Sequence, residues 1–154
     1  KIEIQVKYML KNNIKFLYTA YFKRNIFNKN EIKVNVPKSY KMPYIVFKCK
    51  IATPTVIFKK EILKGLKFST SIKYGEDIIF WSKLSKSVKL SGLNLPTTIV
   101  NVSNNSTSQS IENLRKGYVS MNKELFKKNS LVSKLHYLYI NIKLSIKFLF
   151  EFLF

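Results

Sequence analysis

Aspartate is almost absent from this sequence. Asp77 is the only one among 154 residues, and seven glutamates complete the acidic set. Proteins usually hold Mg²⁺ or Mn²⁺ with carboxylates brought close together, together with other oxygen ligands. The sequence has no Asp-x-Asp motif, and no two of its carboxylates are spaced to hold such an ion. We therefore expect no metal site within this chain.

Cysteine, histidine and glycine are also scarce. Cys49 and His136 are single residues far apart in the sequence, which excludes an internal disulfide, a cysteine–histidine zinc site and a credible thiol dyad. Only four glycines are present, and they form no glycine-rich phosphate loop. The sequence therefore excludes enzymes that depend on a cysteine–histidine zinc site, a thiol dyad or a glycine-rich phosphate loop. The lack of a possible disulfide is typical of a protein from a reducing compartment.

Arginine is nearly missing from a very basic chain. The net charge is +20, yet only Arg24 and Arg115 are arginine. A positive excess suggests nucleic acid or an anionic membrane as a partner, but sites that bind nucleic acid specifically rely on arginine. The lysines are spread along the sequence, so nucleic acid is disfavoured as a partner. A small basic protein that binds nucleic acid or an anionic membrane without catalysis remains the alternative to an enzyme.

The start of the chain shows no targeting segment. It begins at Lys1, and no basic start, apolar stretch and small-residue cleavage site follow one another. We expect a cytoplasmic piece of a longer protein, either free or peripheral at the inner face of a membrane.

Apolar periodicity predicts alternating helices and strands, hence an α/β fold without internal repeats. In the first helix, Ile2, Val6, Met9 and Leu10 share one face. Helices are predicted at residues 2–11, 44–51, 59–65, 76–87, 111–128 and 131–154, the second of these being either a helix or a strand because its apolar run is too short for periodicity to decide. Strands are predicted at residues 14–22, 31–36, 53–58 and 95–102, the second of these being either a strand or an extended loop.

The final segment, residues 131–154, is apolar but carries Lys143, Lys147 and Glu151 at four-residue steps. One interpretation is an interfacial helix, with lysines toward lipid headgroups and Phe148 and its apolar neighbours beneath. The other is a helix packed on its own domain or on a partner. The sequence favours neither.

The segment around Asp77 carries the chemistry. In "YGEDIIFW", Gly75 precedes two acids that open a predicted helix, where the helix dipole stabilises negative charge. An ionised carboxylate on a rigid element is suited to act as a general base for a sugar hydroxyl. Glu76 is better suited to hydrogen-bonding an acceptor hydroxyl or a backbone amide. Trp81, one turn beyond Asp77, offers a stacking platform for a sugar ring or is a core residue.

The order of segments resembles a known family. "ATPTVIFKKEIL", followed by "YGEDIIFWSKL", looks like the second half of bacterial family-two glycosyltransferases. "KIEIQVKYMLKNNIKFLYTAY" resembles the helix and strand that follow that family's metal-binding Asp-x-Asp or Asp-Asp segment. The resemblance implies a partial GT-A fold, the Rossmann-like fold of nucleotide-diphospho-sugar transferases, lacking its N-terminal nucleotide-binding half and ending in helices. We expect residues 1–128 to form the C-terminal half of the transferase domain and residues 129–154 a C-terminal helix.

The resemblance also implies an activity. In that family the aspartate of the Glu-Asp pair is the base in an inverting transfer from a nucleotide-diphosphate sugar, a role carried over to Asp77. The acceptor would be a saccharide or a lipid-linked saccharide, bound by Glu76 and Trp81, and a membrane surface is a further possible partner through residues 131–154. Mg²⁺ or Mn²⁺ is expected in the full-length enzyme, with ligands outside this chain. Ser106 and Ser108 are interpreted as ordinary loop residues.

Overall fold

A computed structural model describes residues 1–103 and 110–153, with side chains described up to residue 149. Ser106 and Ser108 lie outside the described residues. The described residues form a mixed α/β structure of two compact units. The first unit is residues 1–67 with 81–103, and the second is residues 68–80 with 110–153. The predicted boundary between residues 128 and 129 falls inside the second unit.

The first unit contains two small sheets, two complete α-helices and residues 81–84 of a third. The complete helices are α1 (Ile2–Lys11) and α2 (Tyr44–Lys48), and short 3₁₀ turns occupy Thr53–Thr55 and Lys60–Leu63. The strands are β1 (Phe16–Thr19), β2 (Tyr21–Asn25), β3 (Glu31–Val34), β4 (Ser39–Tyr40), β5 (Ile57–Phe58), β6 (Leu90–Leu93) and β7 (Ile99–Val102). Their order is β4-β6-β1-β5 in one sheet and β3-β2-β7 in the other.

The segment predicted as one strand at residues 14–22 divides at Ala20. Its first part, β1, pairs in parallel with β6, and its second part, β2, pairs in parallel with β7. Ala20 lies at the change of partner, because its amide donates to the Leu93 carbonyl and its carbonyl accepts from the Thr97 amide. Periodicity along one segment cannot reveal such a change of pairing partner.

β6 is a central strand that the sequence did not predict. Ser91 and Gly92 occupy its middle, and both residue types have low strand propensity. Gly92 faces Tyr18 across the parallel pair, and the Tyr18 ring passes over it to donate a hydrogen bond from its hydroxyl to the Pro37 carbonyl, at 2.8 Å. A Cβ at residue 92 would lie 2.1 Å from the Pro37 oxygen and 2.8 Å from the Tyr18 ring. Only glycine fits.

The core of the first unit is aromatic. Phe16 is fully buried, stacks on Phe58 with ring centroids 5.9 Å apart, and meets the edge of Trp81 at 5.2 Å. Edge and stacked contacts of this kind add to the free energy gained from burying the rings. Trp81 and Leu84, from the C-terminal half of α3 (Glu76–Leu84), are both buried in this core.

α1 has the predicted bounds but not the predicted buried face. Ile2, Val6 and Leu10 are exposed, and only Met9 of the predicted apolar set is buried. Gln5 is fully buried on the packed face instead of these apolar residues. Its Nε2 donates a hydrogen bond to the Thr55 carbonyl at 2.9 Å. Hydropathy alone did not predict this buried amide.

The second unit contains residues 76–80 of α3, together with α4 (Ile111–Leu125) and α5 (Leu131–Leu153). α5 packs on α4, so the interpretation of a helix packed on its own domain is confirmed for one face. Lys143, which the interfacial interpretation directs toward lipid headgroups, donates instead to the Tyr118 hydroxyl on α4 at 2.6 Å. Among the described residues, no helix combines the length and the hydropathy needed to cross a bilayer.

A buried polar cluster joins α4 to α5. Asn122 donates from Nδ2 to the Ser133 carbonyl at 3.0 Å and to His136 Nδ1 at 3.1 Å, and its Oδ1 accepts from the Ser133 hydroxyl at 2.7 Å. His136 is fully buried between the edges of Tyr118 and Phe126. Because Nδ1 accepts a hydrogen bond, the imidazole is neutral, and burial lowers its pKa to about 4.

We predict that Gly92→Ala destabilises the protein by about 1–3 kcal/mol or more, because the added methyl group has no space between Pro37 and the Tyr18 ring. Urea denaturation followed by circular dichroism measures the change. Tyr18→Phe is the control: it removes only the hydrogen bond to Pro37 and should cost about 1 kcal/mol. An unchanged midpoint for Gly92→Ala would contradict this packing.

We predict that His136 makes the protein less stable as the pH falls from 6.5 toward 4. In this window the unfolded chain takes up a proton that the folded state does not bind, so the free energy of unfolding falls by on the order of 2 kcal/mol. His136→Phe should be less stable at neutral pH, because Asn122 loses an acceptor, but its stability should depend less on pH. Thermal melts between pH 7.5 and 4.5 test this, and parallel pH curves for the two proteins would refute it.

Candidate active site

The first turn of α3 presents the two adjacent acids. Gly75 precedes the helix with φ of 76°, a left-handed conformation that favours glycine, and its carbonyl accepts the Ile79 amide at 3.1 Å. Glu76 and Asp77 follow as the first two helical residues. The glycine and the acids are therefore typical helix-start signals, and they place both carboxylates at the positive end of the helix dipole.

The Asp77 carboxylate is held by the backbone. Its Oδ1 accepts a hydrogen bond from the Ile78 amide at 2.7 Å, and the side chain is half-buried. A hydrogen bond from an amide and the dipole of the helix both favour the ionised form of a carboxylate. An ionised carboxylate fixed in this way can accept a proton from a bound hydroxyl group.

Asp77 lines an open cleft of about 400 Å³ within the second unit. Small-molecule sites in proteins range from about 300 to 1,000 Å³. The cleft is bounded by the segment that leads into α3 and by one face of α4. Its lining residues are Lys73, Tyr74, Gly75, Glu76, Asp77, Ile78, Asn113, Leu114, Gly117, Tyr118 and Met121.

Glycines bring the two walls of the cleft together. A Cβ at Gly117, in the middle of α4, would lie 3.2 Å from the Tyr74 carbonyl oxygen, closer than most such contacts. A Cβ at Gly75 would lie 2.5 Å from the Met121 side chain. Because neither glycine has a side chain, α4 can approach the segment that positions Glu76 and Asp77.

The Tyr118 side chain is fixed from behind by α5. Lys143 donates a hydrogen bond from Nζ to the Tyr118 hydroxyl at 2.6 Å, and Nζ lies 5.2 Å from the centre of that ring, beyond the hydroxyl and near the ring plane. The same ammonium lies 5.6 Å from the centre of the Tyr139 ring. These contacts hold Tyr118, which is mostly buried, at the wall of the cleft.

The three residues predicted from the sequence separate into two groups. Glu76 and Asp77 lie together at the cleft, whereas Trp81 is only 1% exposed and packs against Phe16 in the core of the first unit. A sugar ring needs an open aromatic face on which to stack, and Trp81 has none. In this structure Trp81 is a core residue with no exposed ring face.

Sequence reasoning missed Tyr74 and the contribution of α4. Tyr74, Asn113 and Tyr118 add an amide and two phenol groups to the cleft lining, and none was predicted. The available signal was Gly117, since a glycine within an otherwise regular helix is unfavourable and often marks a close approach of another segment. The sequence does not show which segment approaches it.

The described residues do not form a metal site. No group of three or more His, Cys, Asp or Glu side chains is placed to hold an ion in this part of the chain. Glu76 and Asp77 are adjacent, but Asp77 already accepts the Ile78 amide through Oδ1. Within the described residues, this cleft brings together two carboxylates, those of Glu76 and Asp77.

Comparison with known proteins identifies relatives, although no family model matches the chain. An uncharacterised glycosyltransferase of Rickettsia conorii is 30% identical over 105 residues, which is 67% of this chain and 17% of the relative. Another, from Rickettsia felis, is 31% identical over 107 residues, again 67% and 17%. The chain is related to glycosyltransferases.

A third glycosyltransferase relative has a defined activity. It is the Escherichia coli UDP-Glc:alpha-D-GlcNAc-diphosphoundecaprenol beta-1,3-glucosyltransferase WfgD, 32% identical over 96 residues, which is 61% of this chain and 36% of that protein. The chain thus spans about a sixth of the Rickettsia glycosyltransferases and about a third of the Escherichia coli one. These lengths show a relationship to part of each transferase.

Proposed function

We propose that this chain supplies the acceptor side of a glycosyltransferase active site, with Asp77 as general base. The observation that carries the proposal is the position of Asp77: the only aspartate lies in the first turn of α3 and lines a cleft. The relationship to glycosyltransferases supports a sugar hydroxyl as the group that enters this cleft.

The proposed reaction is a direct displacement. Asp77 takes the proton from the acceptor hydroxyl, whose oxygen attacks the anomeric carbon of a nucleotide-diphosphate sugar. A new glycosidic bond forms, the bond to the diphosphate breaks, and the nucleoside diphosphate departs with that electron pair. Attack from the side opposite the leaving group inverts the anomeric centre, as the resemblance to family-two GT-A enzymes implies.

The cleft offers hydrogen-bonding groups for the acceptor. Glu76, Tyr74 and Asn113 line it together with Asp77, and they provide donors and acceptors for several hydroxyl groups of one saccharide. Holding the acceptor by these groups would place one hydroxyl against the base, and such positioning contributes strongly to catalysis. We propose a saccharide or a lipid-linked saccharide as the acceptor, the second because the Escherichia coli relative is named for a diphosphoundecaprenol-linked one.

Donor binding is assigned to sequence outside this chain. The sequence has no glycine-rich phosphate loop and no Asp-x-Asp motif, so we propose that flanking protein holds the diphosphate and a Mg²⁺ or Mn²⁺ ion. The ion would offset negative charge on the leaving diphosphate. This division agrees with the small share of each relative that the chain spans.

We predict that Asp77→Asn, made in the full product of the gene that encodes this chain, lowers kcat by about 10²–10⁴-fold, the usual contribution of a general base. Donor binding should change less than about twofold, because Asp77 acts on the acceptor. Transfer of radiolabelled sugar and calorimetric titration with the nucleotide sugar measure the two quantities. Full activity in Asp77→Asn would refute the assignment.

Two control variants separate the roles of the carboxylates. Glu76→Gln should raise the acceptor KM more than it lowers kcat, because Glu76 lines the cleft without acting as the base. Glu112→Gln removes an exposed acid on α4 that pairs with Lys116 and does not line the cleft, so it should leave both constants unchanged. Equal losses in all three variants would indicate a general charge effect rather than a base at residue 77.

A further inference from the structure

One face of α5 is packed, and the opposite face is exposed along the part of the helix whose side chains are described, up to residue 149. Ser133, His136, Ile140 and Leu144 recur at steps of three or four residues and are all buried. His136 contacts Tyr118 on this side, so this is the face that lies on α4. The helix therefore needs no apolar residue on its opposite side for its own packing.

The opposite side is nevertheless apolar along most of the helix. Six large side chains recur at steps of three or four residues, and each is 49–72% exposed. We call them the outer stripe: Leu131, Leu135, Leu138, Ile142, Ile146 and Leu149. At 100° per residue these positions centre about half a turn from Ile140, on the side away from α4. A continuous exposed stripe of this size is typical of an interaction surface.

Lysines lie at the start of the outer stripe. Lys127 and Lys128 precede α5, Lys134 lies in its first turn, and all three are exposed. The whole chain carries a net charge of +20. Two copies of this chain would repel each other, whereas an anionic surface would attract it. Charge therefore favours an anionic partner over a second copy.

We infer that the outer stripe docks on an anionic lipid membrane surface. The 23 residues of α5 form a helix about 35 Å long, which lies flat with its leucines and isoleucines below the headgroups. The lysines near its start contact lipid phosphates. Lys143 remains on the side of α4, where it holds Tyr118, so docking leaves the wall of the cleft intact. This inference does not require glycosyl transfer.

Sedimentation of the purified chain with vesicles tests the inference. Vesicles of phosphatidylglycerol and phosphatidylcholine should bind the chain with an affinity that falls as salt rises, and pure phosphatidylcholine should bind it much more weakly. The double variant Leu138→Ser, Ile142→Ser should lose at least about tenfold in affinity. Lys127→Gln and Lys128→Gln should each lose about fivefold on anionic vesicles.

The matched control removes equally exposed apolar residues elsewhere. Phe27 and Ile32 are each 68% exposed near the β2–β3 connection, so Phe27→Ser, Ile32→Ser should leave vesicle binding unchanged. Circular dichroism of each variant checks that the helices are retained. If both double variants weaken vesicle binding equally, the binding is nonspecific hydrophobic adsorption and the inference fails.

Two other results would overturn the proposal. In the first, the chain does not bind anionic vesicles but forms a dimer in analytical ultracentrifugation, and the variant Leu138→Ser, Ile142→Ser is a monomer. A second copy of the chain would then cover the outer stripe. The second is vesicle binding that depends on the lysines alone. Because neither measurement involves sugar transfer, failure here leaves the role of Asp77 to be tested separately.

Discussion

The close approach of α4 to the segment before α3 is the constraint on which the candidate site depends. The missing side chain of Gly117 lets the α4 backbone lie against the Tyr74 carbonyl, and the left-handed Gly75 then turns the chain into α3. These two glycines allow the segment that carries Glu76 and Asp77 to lie close to α4, and the cleft takes its far wall from this helix much later in the sequence. The position of the candidate carboxylate therefore depends on two residues that carry no functional group.

Local signals in the sequence predicted local structure well. The bounds of α1 and the start of α3 follow from a terminating Asn pair and from a glycine followed by acids, and the two final helices follow from apolar periodicity. The pairing of strands that are distant in the sequence was harder to predict. β6 was not predicted because Ser91 and Gly92 interrupt its apolar pattern. The division of the strand at Ala20 depends on which later strand pairs with each part, β6 with β1 and β7 with β2.

The site was predictable only in the part that a single helix provides. Glu76 and Asp77 are adjacent in sequence, so their shared location needed no tertiary information. Trp81 was one turn away and equally plausible, but burial, which sequence spacing does not reveal, assigns it to the aromatic core with Phe16. Tyr74, Asn113 and Tyr118 converge through packing of α4 and could not be predicted from spacing.

The buried cluster of Asn122, Ser133 and His136 has a consequence for the direction of α5. An interface made only of leucines can slide or rotate by one residue at modest cost, because one apolar contact replaces another. Here a one-residue rotation would leave the Asn122 amide and the imidazole without their partners, at roughly 1–3 kcal/mol for each buried group. The cluster therefore fixes the rotation of α5 about its own axis, so the leucine-bearing side of the helix faces a single direction relative to Asp77.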